Sequence, residues 1–204
     1  MSNTMQPQPI ATKLLETSRL VLRRWLPTDR DLFREINADP DVMAFFPFRR
    51  SHDESDAFLG KLNDMFSENG LGFYALELRE TGEPLGFCGL TYANMPGIFP
   101  AETVEIGWRL AARYWGNGYV TEAAEALLDF AFVEKDIKAV VSFAVADNNR
   151  STAVMKRLGM HRAAGMDFDH PRVPETHPHL KRHVVYAMTP EEWTRRNARL
   201  VEEA

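Results

Sequence analysis

The chain has 204 residues, of which 45% are hydrophobic and 26% charged, with 12 Gly and 12 Pro, a usage that suits one packed domain and excludes collagen-like, low-complexity and disordered classes. Its 24 Lys and Arg against 29 Asp and Glu leave a formal charge of −5 without any basic run, so neither nucleic acid nor a membrane surface is an expected partner. A lone cysteine, Cys88, cannot close a disulfide within the chain, and no apolar run reaches the roughly 18 to 20 residues of a bilayer span, so a cytoplasmic location is expected.

Residues 1–15, rich in Gln, Pro, Asn and Thr, read as a flexible tail, with a single domain expected over 16–204. Arg19 to Trp25 has the pattern of a strand. Pro27-Thr28-Asp29 offers a helix start, and Leu32, Phe33 and Ile36 keep helical spacing until Asp39-Pro40. Ser51 with Glu54 makes a capping box before the apolar stripe Phe58, Leu59, Leu62, Met65 and Phe66. Phe73–Leu78 and Leu85–Leu90 flank the turn-rich Glu80–Pro84 and predict an antiparallel hairpin. Val104, Ile106, Trp108 and Leu110 alternate as a strand does. From Val120, residues Ala123, Ala124, Leu127, Leu128, Ala131 and Phe132 hold one helical face, with Glu122 and Glu125 near its N-terminus, where the macrodipole favours them. Ala139–Ala146 reads as a buried strand and Arg150–Leu158 as a helix ending at Gly159; His183–Met188 and the segment from Pro190 predict a last strand and a last helix.

The segment Arg113-Tyr114-Trp115-Gly116-Asn117-Gly118 lies between a strand and a long helix, where backbone N–H groups unpaired by the helix point outward and favour an anion. Glycines at 116 and 118 admit positive φ and close approach, and Arg113 adds a cation for phosphate. The bland alternative is a tight turn with no ligand. A P-loop is excluded because no Gly-Lys-Ser/Thr follows, and a dinucleotide fingerprint because position 121 is Thr.

Taken together, Glu105-Ile106-Gly107-Trp108-Arg109-Leu110, then Arg113-x-x-Gly116-x-Gly118-Tyr119-x-x-Glu122-Ala123, then Asn148-x-x-Ser151-x-x-Val154-Met155-x-x-Leu158-Gly159-Met160 closely resemble the GNAT acetyltransferases, and within them the branch that acetylates ribosomal protein N-termini. The likeness runs from Thr17–Arg23 to His183–Tyr186. It implies an α/β fold with a central mixed, mostly antiparallel sheet, splayed around acetyl-CoA and flanked by helices. By the same resemblance, main-chain groups of Trp108, Arg109 and Leu110 bind the pantetheine arm, and Arg113, Trp115, Gly116, Asn117 and Gly118, with the adjoining Tyr119, hold the pyrophosphate. Asn148 meets the arm from across the cleft.

The reaction implied is direct attack of a primary amine on the acetyl thioester in a ternary complex, with no metal. Glu105 is the expected base, its pKa raised by burial; the alternative is a carboxylate that merely accepts hydrogen bonds. Many family members place a proton-donating tyrosine where this chain has Met155, so Ser151 is the expected donor to the thiolate, with helix capping as its alternative role. The acceptor is expected to be a protein N-terminus or a small-molecule amine; a homodimer is compatible with the sequence. The rival reading is a regulatory module that binds acetyl-CoA or CoA without catalysis. The histidine-bearing stretch His170–His179 has no regular ligand spacing and is read as a polar loop over the acceptor; Asp167 and Asp169 either attract a cationic amine or are simply solvated, Phe45, Phe46 and Phe48 either line the acceptor pocket or pack in the core and between helices, and Cys88 is read as a small buried hydrophobe.

Overall fold

The computed structural model describes residues 13–202. Residues 1–12 of the expected tail lie outside that range; its last three residues, 13–15, belong with Glu16 to a strand, β1 (Lys13–Glu16). β1 is followed by β2 (Leu20–Arg23), α1 (Arg30–Ala38), α2 (His52–Asn69), β3 (Gly72–Leu78), β4 (Pro84–Tyr92), β5 (Val104–Leu110), α3 (Tyr119–Asp129), β6 (Val140–Val145), α4 (Asn149–Arg157), β7 (His161–Arg162), β8 (Phe168–Asp169), β9 (Arg182–Met188) and α5 (Pro190–Glu202). No helix among the described residues is long and apolar enough to cross a membrane.

The strands form one sheet in the order β1-β2-β3-β4-β5-β6-β9-β7, with β8 also on β9. Every neighbouring pair is antiparallel except β5 and β6, which run parallel. The mostly antiparallel, splayed α/β sheet is therefore as expected. Local signals explain the helices: the Ser51 hydroxyl accepts the Glu54 N–H while the Glu54 carboxylate accepts the Ser51 N–H, satisfying two donors that α2 leaves free. Past α3 the chain adds a π-helical turn over Phe130–Glu134.

Side-chain alternation along the strands divides the core in two. On one face Leu22, Tyr74, Leu76, Leu90 and Ile106 pack against Leu127, Leu128, Met155 and Leu158 of α3 and α4. On the other, Ala75 and Phe87 pack against Leu32, Phe33, Ile36 and Leu62 of α1 and α2. Cys88 is buried, as expected, and burial raises its thiol pKa.

Candidate active site

β5 and β6 pair only at Val104↔Val140 and Glu105↔Val141. Beyond Glu105 they part, and the Ser142 hydroxyl, donating to the Ile106 carbonyl at 3.0 Å, bridges the crotch. A cleft of about 1250 Å³ opens there, running from the glycine turn before α3 to the side of the sheet that carries α1 and α2.

The ladder register decides which main-chain groups reach this cleft. Ala111 donates its N–H to the Leu85 carbonyl, and the β4–β5 pairing continues in the same phase through Phe87↔Arg109, Gly89↔Gly107 and Thr91↔Glu105. In an antiparallel ladder these odd-numbered residues exchange bonds with the neighbour strand, so the even-numbered Ile106, Trp108 and Leu110 turn their polar groups to the opposite side. Two side chains confirm the phase: Ser142 takes the Ile106 carbonyl and the Trp115 indole N–H takes that of Leu110. Trp108 and the Leu110 N–H are left facing the gap. The main chain of Arg109, expected at the cofactor arm, is turned to β4 instead, and only its side chain lines the cleft.

At the other end, Gly116 and Gly118 have φ of +81° and +78°, so the turn needs the left-handed conformation that non-glycine residues adopt at a cost. The Asn117 side chain donates to the Tyr114 and Trp115 carbonyls at 3.1 and 3.2 Å and shapes the turn from within; among the residues named here, it does not line the cleft. Arg113 does not line it either. Its guanidinium pairs with Glu35 of α1, a partner 78 positions away that no local pattern signals. Arg19 takes up a place beside the turn, donating to the Asn117 carbonyl at 3.0 Å and to Glu122 at 2.6 Å, with its guanidinium 4.7 Å from the centre of the Tyr119 ring. Thr17, Ser18 and the Arg19 N–H also donate to Glu122. Burial raises the Glu122 pKa, but these bonds outweigh it and hold the carboxyl below its ordinary value.

Glu105, Trp108, Trp115, Gly116, Gly118, Tyr119, Asn148 and Ser151 all border the one cleft. Asn148 caps α4, its Oδ1 accepting the Ser151 N–H at 3.1 Å, so the capping work left open for Ser151 is done by its neighbour. Met155 is buried beneath. Burial pushes the Glu105 carboxyl up to about 8, opposed in part by the charge of Arg172. His170, also at the cleft, is pushed down to about 4 by burial and by the neighbouring His183 and Arg172, so it is neutral at pH 7. Arg172 donates to the Asn94 carbonyl at 2.9 Å, tying the histidine-bearing loop to the segment after β4.

Other expectations divide. Phe45 and Phe46 line the cleft and Phe48 does not. Asp167 is engaged by Arg162 and by the Val185 N–H and has no free face for an amine, whereas Asp169 meets Arg182 only at 3.4 Å and stays exposed. No group of three or more His, Cys, Asp or Glu among the described residues could hold a metal ion. Sequence reading missed Arg19 and also Arg150, which lies over the Trp115 ring at 4.0 Å and donates to the Asp41 carbonyl.

Comparison with known proteins agrees with this geometry. A family model described as an acetyltransferase (GNAT) domain matches residues 19–161. The uncharacterized protein YkkB of Bacillus subtilis (strain 168) is 34% identical over 154 residues, covering 74% of this chain and 86% of that protein. FsC-acetyl coenzyme A-N(2)-transacetylase of Aspergillus fumigatus is 28% identical over 202 residues, covering 94% of this chain and 81% of that protein. In fold, the crystal structure of a ribosomal-protein-S5-alanine acetyltransferase from Vibrio fischeri superposes with a TM-score of 0.68 at 14% identity, covering 88% of this chain and 97% of the other. Since the matched stretch takes in the parting strands, the glycine turn and the helix between them, the chain belongs to the GNAT family of acetyltransferases.

Proposed function

We propose that the protein transfers the acetyl group of acetyl-CoA to the nitrogen of a primary amine by direct attack in a ternary complex. Membership of the family supports acetyl-CoA as the donor. The name of the Aspergillus relative, an N(2)-transacetylase, supports nitrogen as the acceptor atom. The observation that carries the reading is the desolvated Glu105 carboxyl at the crotch of the splay, three residues before the main chain of Trp108 that faces the gap.

In this reading the turn at Gly116 and Gly118, at the N-terminus of α3, receives the diphosphate on backbone N–H groups, and the Trp108 carbonyl and the Leu110 N–H pair with the amides of the arm. Asn148 borders the arm from the α4 side while its Oδ1 remains on the helix end. An amine of ordinary pKa is mostly protonated at pH 7, so Glu105, once ionised, accepts its proton directly or through a water. The nitrogen lone pair then forms the new C–N bond, and the N–H of Trp108 is oriented to meet the negative charge developing on the carbonyl oxygen. The carbonyl re-forms as the C–S bond breaks, and the proton still carried by the attacking nitrogen passes to the departing thiolate, relayed by the Ser151 hydroxyl, which is free of capping duty.

The deciding experiment measures CoA thiol release from acetyl-CoA across a panel of amines and N-terminal peptides, together with calorimetry of acetyl-CoA binding. Release that depends on an amine is expected. Tight binding with no release above background for any amine identifies a regulatory CoA-binding module instead.

A further inference from the structure

The side chains of Glu105, Gly107 and Arg109 alternate onto the α1–α2 face of β5, and the four-residue separation of Glu105 and Arg109 spans about 13 Å of strand. Gly107 between them has no side chain, so the floor from the carboxyl to the guanidinium is open apart from the Phe73 ring. The Arg109 guanidinium is desolvated. Its Nη1 donates to Asn37 Oδ1 at 2.6 Å, and it lies 4.3 Å from the centre of the Phe46 ring and 5.4 Å from that of Phe87. Asn37 is itself wholly buried and held by its own bond to the Phe33 carbonyl, so this partner is neutral and fixed.

Arg50 repeats the pattern. Its guanidinium lies 4.4 Å from the Phe58 ring centre and 4.7 Å from that of Phe48, and its Nη1 is buried with no hydrogen-bond partner. Phe58 lines both the main cleft and the smaller pocket that Arg50 borders. Neither arginine has a carboxylate in an ion pair among the described residues. Glu54 favours the Arg50 charge from a distance, but its Oε2 is occupied by the Ser51 N–H. Burial, and for Arg109 also the like charge of Arg50, works against both cations. A guanidinium nevertheless stays charged at pH 7. The contrast within the same chain is Arg23, which is more deeply buried than either and is engaged by both Asp29 and Glu77. Two desolvated like charges without a counter-ion are costly unless a ligand supplies one.

These cations do not face the diphosphate turn, because Arg109 points to α1 and α2 while the turn leads into α3 on the opposite face. Building on the acetyl-transfer reading above, we propose that Arg109 and Arg50 form an anion subsite in the acceptor pocket, and that the acceptor is a primary amine bearing a carboxylate several bonds from its nitrogen. The planar fork of a guanidinium matches a carboxylate, while polyamines meet like charge at the same place, despite the acidic balance of the whole chain.

The test compares 6-aminohexanoate, 6-aminohexanamide and 1,6-diaminohexane, and the C-terminally amidated tripeptides Ser-Gly-Glu and Ser-Gly-Gln, by thiol release. Within each set the carboxylate acceptor is expected to have a kcat/KM at least tenfold above its amide, with the diamine lowest. In Arg50→Gln that ratio should fall toward one through KM, and in Arg50→Lys, which keeps the charge and loses the planar fork, it should fall by less; damage to folding lowers both rates together and leaves the ratio unchanged. Equal rates for carboxylate and amide, or a ratio that survives in both variants, overturns the anion subsite while leaving acetyl transfer standing. No release from any amine, with acetyl-CoA binding intact, overturns the transfer reading and this inference with it.

Discussion

Glu105 is the residue whose ionisation the proposed chemistry depends on. With its carboxyl pushed up to about 8, roughly a tenth is ionised at pH 7 and most at pH 9. Turnover of the wild-type protein at saturating acceptor is therefore expected to rise several-fold through pH 8, and Glu105→Gln should lower it by about 100-fold or more and remove that inflection. A variant profile that keeps the same inflection assigns it to another group. Stability gives an independent check on the same carboxyl. Because its folded pKa lies above the unfolded one, ionisation disfavours the folded state, with a penalty that begins as pH rises past about 4.5 and is complete above about 8. Glu105→Gln should thus melt at the same temperature as wild type near pH 4 and at a higher one near pH 9. Ser151 is expected to act on the leaving group alone: Ser151→Ala should lower kcat about tenfold and shift stability by less than about 0.5 kcal/mol, since Asn148 keeps the cap. A loss of helix stability with normal turnover would return Ser151 to a structural role.

At the scale of elements, the glycine turn makes the sharpest prediction. Gly118 sits at φ +78°, and a Cβ there lies 3.6 Å from the Arg19 guanidinium, in ordinary contact. Gly118→Ala should therefore cost about 1–2 kcal/mol of stability from backbone strain alone. Gly118→Glu adds a negative charge at the proposed diphosphate seat, and its Kd for acetyl-CoA by calorimetry should exceed that of the alanine variant by tenfold or more. Equal affinities in the two variants would place the diphosphate elsewhere. Legibility also follows scale here. The turn, β5, and helices α2 to α4 announce themselves through short-range signals: alternation, a capping box, two glycines between a strand and a helix. The two-residue strands β7 and β8 carry no such signal, because they exist through pairing with β9. Arg113 was legible as a turn residue but not as the partner of Glu35, and Asn37 and Arg50 were invisible as a pair with Arg109, since burial without a counter-ion is a property of packing and not of spacing.

Across the whole molecule, the cleft keeps its shape only if the strands beside it and the helix beneath the turn hold a fixed distance. Glu122 supplies that constraint: one carboxylate of α3 receives hydrogen bonds from Thr17, Ser18, the Arg19 main chain and the Arg19 guanidinium, joining the segment between β1 and β2 to a helix more than a hundred residues later. Arg19, at the cleft wall, in turn holds the Asn117 carbonyl, so the same residue ties the glycine turn to Glu122. Glu122→Ala should cost about 2–3 kcal/mol, because it strips several donors of a charged acceptor at once, and should weaken acetyl-CoA binding several-fold although no proposed ligand contact is removed. The bonds hold the Glu122 pKa below its ordinary value, so their contribution is complete above about pH 4.5 and is lost as pH falls through the depressed folded value. The melting temperatures of wild type and Glu122→Ala should accordingly lie well apart at pH 7 and draw together in acid. A gap that persists unchanged at pH 3 would mean that the glutamate stabilises the molecule by packing and not by its charge.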